Sequence, residues 1–106
     1  MNNLLITIED LKFEKLSNDV QMAKVDFNVC EAIVFYYKKG YRIPKHHHSE
    51  DTLKVILKGE ILINGTERGY IGSLYACKQQ EGYMIDFVED TYLLLLQKSG
   101  TKRINE

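Results

Sequence analysis

The sequence predicts an all-β fold, an antiparallel sandwich or closed barrel. Three observations predict it: apolar segments of strand length recur along the chain, turn residues separate them, and no segment holds a sustained helical period. Closure into a barrel removes the exposed edges that so β-rich a chain would otherwise present.

The elements follow in order. Residues 8–16, with Ile8, Leu11, Phe13 and Leu16, suit either a short helix or an edge strand. Residues 20–29 alternate in part, with Val25, Phe27 and Val29 set against Lys24, Asp26 and Asn28. Residues 31–38 are rich in β-branched and aromatic side chains. Residues 53–63 form a further run, broken at Gly59 and ended by Asn64-Gly65, the strongest short-range hairpin signal. Strands are then predicted over 70–78, 83–88 and 91–98, with Glu89-Asp90 as a tight turn between the last two. The tail, 99–106, reads as a polar terminus that frays.

Composition limits the function. A length of 106 residues is that of one domain, 1–106, with a modest core. The formal net charge of -1 gives nucleic-acid binding no electrostatic support. No apolar run, 92–96 included, is long enough to span a bilayer, so no membrane role is expected. Residues 1–10 carry Glu9 and Asp10 and lack the basic start and apolar stretch of a signal peptide, which makes the cytoplasm the expected compartment. Cys30 and Cys77 form no CxxC pair and are expected as buried small hydrophobes, without a disulfide.

The chemistry concentrates in His46, His47 and His48, which follow Pro44, the only proline. On an extended strand His46 and His48 share one face and His47 points the other way. Imidazoles at i and i+2 can bite one first-row divalent ion, or can stand as two ordinary hydrogen-bonded histidines.

The run from Gly40 to His48, with Gly59 beyond it, resembles the first motif of the cupin superfamily: Gly, five residues, His-x-His, three or four residues, Glu, six residues, Gly. Gly72 is similar to the Gly of the loop that opens the second motif. The resemblance covers roughly residues 36–97 and implies an antiparallel double-stranded β-helix, a jelly-roll barrel with a pocket inside. It also exposes departures. Thr52 stands where the motif has its glutamate, and Ile85 stands where the second motif has its histidine. Glu50 shares the parity of His48 and faces inward if the strand runs on, or else is a solvated loop residue, while strand parity aims Asp86 away from the face of Ile85 unless the register shifts. The metal set implied by the family thus shrinks to His46 and His48, fewer than the three protein ligands of a catalytic site. The expected cofactor is none, or a weakly held Ni, Zn, Fe or Mn ion.

By the same analogy the pocket takes Thr52, Tyr75 and Cys77 beside the two imidazoles, within a mostly apolar lining. Lys54 shares the face of Thr52. A lysine inside a barrel needs a partner or a shifted pKa, so a surface position after a register slip is the expectation for it. Two function classes stay open. One is a binding module for a small polar or sugar-like molecule, without a tightly bound redox metal. The other is an enzyme, an isomerase, epimerase, lyase or dioxygenase acting on a small metabolite through His46 and His48. A homodimer is expected from the aromatic content.

Overall fold

The structure is a computed structural model that describes Asn3 and residues 5–106. Residues 1, 2 and 4 of the N-terminal segment lie outside the described residues.

Eleven strands are present among the described residues: β1 (Glu14–Lys15), β2 (Val20–Val25), β3 (Glu31–Tyr37), β4 (Arg42–His48), β5 (Thr52–Lys58), β6 (Glu60–Ile63), β7 (Glu67–Tyr70), β8 (Leu74–Cys77), β9 (Tyr83–Phe87), β10 (Thr91–Gln97) and β11 (Arg103–Asn105). They form two sheets, β1-β2-β3-β10-β5-β8 and β11-β4-β9-β6-β7, in which every pairing is antiparallel. The chain passes repeatedly between the sheets, as in a jelly roll. Among the described residues no helix is long and apolar enough to cross a membrane.

Alternation places the core between the sheets. Ile56 on β5, Ile61 on β6, Ile85 and Phe87 on β9 and Leu93 on β10 are almost fully buried, and their strand neighbours face outward. Two backbone positions make the barrel corners. Asn64 (φ 52) and Gly65 (φ 75) are both left-handed, as the turn between β6 and β7 requires. Gly59 (φ 105) joins β5 to β6 against the β9–β10 turn; a Cβ there would overlap the Asp90 carbonyl oxygen and lie 2.7 Å from the Thr91 Cα.

Several local expectations are corrected. Residues 8–16 hold a single 3-10 turn, Ile8–Asp10, and the two-residue β1 rather than a longer element. The strand expected over 20–29 ends at Val25, because Val25 already pairs with Ala32 and the chain must turn; Phe27 and Val29 are exposed in the connection. The run over 70–78 splits, since Gly72 (φ 88) turns the chain between β7 and β8. The tail does not fray: β11 pairs with β4, with Arg103 opposite His48 and Asn105 opposite His46.

Candidate functional site

The inward aim of the histidines rests on a defect in β4. Ile43 pairs with Ile85, and His46 pairs with Tyr83, so three steps on β4 match two on β9. The extra residue falls at Pro44–Lys45, where the proline has no N–H to give to the ladder. Without this bulge the parity of buried Ile43 would carry His47 inward. With it, His46 and His48 are buried and half-buried His47 faces out, where its Nδ1 lies 2.7 Å from Glu106. The same bulge leaves the Pro44 carbonyl free to accept a 2.8 Å hydrogen bond from His46 Nδ1, which fixes the tautomer with the lone pair on Nε2.

The two rings stand 5.1 Å apart between centroids and nearly perpendicular. His46 also packs on the Tyr83 ring at 4.5 Å. Opposite them, β5 turns Thr52, Lys54 and Ile56 inward. Lys54 is 5% exposed, so the surface position expected for it is corrected: β5 keeps strict alternation, with Lys54 facing Tyr75 across β8 in register. Its desolvation is offset by partners. Nζ donates to the Tyr83 hydroxyl at 2.5 Å, a bond that links one sheet to the other, and lies 3.6 Å from Cys77 Sγ. The Tyr83 hydroxyl is in turn 2.9 Å from His48 Nε2. With Lys54 donating to the phenol oxygen, the phenol proton is directed to His48 Nε2. Neutral His48 then carries its proton on Nδ1, which is buried with no partner among the described residues. Thr52 Oγ1 is buried and unpartnered likewise.

Electrostatics follow from burial. Desolvation lowers the pKa of His48 to about 4, with Lys54 adding to the effect, and lowers that of His46 against the opposing bond to Pro44. Both imidazoles are therefore neutral near pH 7. Burial also lowers the Lys54 pKa, opposed by the Cys77 sulfur, and raises the phenols of Tyr83 and of Tyr75, the latter to about 12.

A cavity of about 390 Å³ opens beside this network. His46, His48 and Lys54 line it, together with apolar side chains and, from β11, Arg103. The other residues named from the sequence lie differently. Tyr75 stands edge-on to Tyr83 at 5.3 Å, behind the network rather than on the cavity wall. Cys77 touches Lys54, while Thr52 and Cys77 border a separate depression between β5, β8 and β10. Glu50 is paired with Lys98 and Asp86 with Arg42, so neither carboxylate joins the imidazoles. Sequence reasoning missed Tyr83 and Arg103. Tyr83 was legible, being two residues before inward Ile85 on one strand; Arg103 gave no signal, because its place depends on the tail pairing with β4.

These residues do not fit a metal. His46, with Nδ1 held and Nε2 free, is oriented as a ligand would be. His48 Nε2, however, is engaged with Tyr83, and the neighbouring cation is an ammonium. Among the described residues no group of three or more His, Cys, Asp or Glu side chains is placed to hold an ion.

No family model and no curated protein matches the sequence. Solved structures match it in fold. A chain in the complex of Rhodobacter sphaeroides SigE with the anti-sigma ChrR superposes with a TM-score of 0.78 at 20% identity, over 87% of this chain and 52% of that one. This chain thus spans about half the length of that relative. The polyketide cyclase RemF from Streptomyces resistomycificus gives 0.77 at 13% identity, over 98% and 85% of the two chains. An RmlC-like cupin from Shewanella frigidimarina NCIMB 400 gives 0.75 at 13% identity, over 93% and 94%. Two facing antiparallel sheets, the histidine pair inside them and these superpositions together assign the chain the cupin fold.

Proposed function

We propose that this chain is a small-molecule-binding protein of the cupin fold that acts through the pocket at His46 and His48 without a tightly held redox metal. The observation that carries this reading is the buried Lys54–Tyr83–His48 chain. It commits His48 to a phenol and keeps a lysine beside two imidazoles with no carboxylate among them. A divalent ion at that spot would meet a like charge in a medium of low dielectric constant, and two neutral imidazoles would hold it weakly. The remaining volume, with mostly apolar walls and a few convergent polar groups, has the make-up of a small-ligand site.

A second reading is metal-free acid–base catalysis on the bound molecule. The same chain favours it, since a phenol between a lysine and an imidazole can pass a proton toward a ligand. Solved structures of this fold include enzymes such as RemF and a salicylate 1,2-dioxygenase. The compartment we expect is the cytoplasm. Exposed Tyr70, Ile71 and Leu74 at the β7–β8 corner support a homodimer.

Protein purified without a metal-affinity step should carry sub-stoichiometric metal by elemental analysis, and EDTA should leave its melting temperature unchanged. A thermal-shift screen of small metabolites should return ligands whose effect disappears in His46→Ala. Stoichiometric Fe, Mn, Ni or Zn that His46→Ala removes would overturn the metal-free reading.

A further inference from the structure

The cavity is unbalanced in charge. Among the described residues two cationic side chains line it, Lys54 at the buried end and exposed Arg103 at the open end, and no aspartate or glutamate does. Neither is in an ion pair among the described residues: the six pairs present involve other side chains. Among the described residues Arg103 donates only to the neutral Asn105 side chain, through Nε at 3.2 Å, and its terminal N–H groups have no partner there. Glu106, the acid that acts on His46, is held by His47 and Lys45 on the outer face of β4. The Arg103 charge lowers the proton affinity of His46, His48 and Lys54 alike, so its field covers the whole site. A cleft lined by one sign of charge, with apolar walls of low dielectric constant, raises the local concentration of anions. The walls between them are aromatic and aliphatic: Phe35, Tyr37 and Tyr41 follow one another with ring centroids 5.7 Å apart, and Ile43 and Leu95 adjoin.

We infer that the ligand is a small organic carboxylate with a planar, mainly apolar body. Its carboxylate meets the Arg103 guanidinium and its body lies on the Phe35–Tyr37–Tyr41 wall. The inference rests on the ligand-binding reading above and names the chemical class of that ligand. A guanidinium fork matches a carboxylate with two parallel hydrogen bonds, whereas an ammonium is a point charge. Arg103 therefore sets orientation, and Lys54 adds attraction from the far end. The imidazoles, being neutral, neither compete for the anion nor repel it.

The test uses matched probes in EDTA-containing buffer: benzoate, phenylacetate and 2-naphthoate, each beside its uncharged carboxamide, followed by amide chemical shifts and calorimetry. The acids should shift the resonances of Ile43, His48 and Leu95 and bind at least about tenfold tighter than their amides, as for loss of one charge-assisted contact. Arg103→Gln, at an exposed position, should remove most of that preference without changing the melting temperature, and Arg103→Lys should restore part of it. Acids and amides of equal affinity at those residues would overturn the carboxylate assignment and leave the pocket reading standing. An acid preference untouched by Arg103→Gln would overturn the role of Arg103. Shifts absent from the cavity residues for every probe would overturn the assignment, and the reading beneath it would fall with it only if the metabolite screen also returned no ligand whose effect His46→Ala removes.

Discussion

The hydroxyl of Tyr83 is the point on which the site turns. It is the hydrogen-bond partner of both Lys54 Nζ and His48 Nε2, and the ring beneath it packs on His46. Tyr83→Phe keeps the ring, takes the partner of His48 Nε2 away and leaves Lys54 Nζ with Cys77 Sγ alone, in a buried space. The expected cost is about 1–3 kcal/mol, the penalty of unmet buried polar groups, seen as a lower urea midpoint at unchanged slope. His48 gives the protein an acid sensitivity of definite sign. Its pKa is depressed in the folded state, so between 6.5 and about 4 the unfolded chain binds a proton that the folded chain refuses. Its contribution to stability is intact above 6.5 and falls as pH drops toward 4. Urea midpoints measured across that window should decline, and His48→Gln should flatten the decline. An unchanged slope in that variant would assign acid sensitivity to other groups.

At the scale of elements, the corner between β5 and β6 and the bulge in β4 do different work. The corner is steric. Gly59 sits at φ 105 with the β9–β10 turn against the space a Cβ would fill, and the Thr91 hydroxyl accepts the Glu60 N–H at 3.2 Å just beyond it. Gly59→Ala should destabilise by at least about 2 kcal/mol, since backbone strain and overlap with main-chain atoms add; thermal unfolding checks this. Gly40→Ala meets no neighbouring atom and carries only the strain of φ 89, so it should cost less. The bulge is a matter of parity. By inserting one residue opposite β9 it turns the histidine pair from the outer face to the inner one.

At the scale of the whole molecule, the site is assembled from distant parts of the chain. Lys54 arrives on one sheet, and His46, His48, Tyr83 and Arg103 arrive on the other. The terminal strand β11 brings Arg103 to the cavity and covers the β4 edge. Removing that strand would take away both the guanidinium and the edge protection.

Most of the strands, the Asn64-Gly65 turn and the break at Gly59 were legible in the sequence, because alternation and turn chemistry are local properties with a period of two residues. So was the histidine pair and its lack of a glutamate and a third imidazole, since Thr52 and Ile85 stand at those positions. Only tertiary structure decided the rest. The inward face of His46 depends on a bulge that one strand cannot declare without its partner. The burial of Lys54 depends on a phenol supplied across the barrel by Tyr83. The place of Arg103 depends on which edge the C-terminal segment pairs with. Each is a non-local pairing, and no local pattern of side chains encodes it.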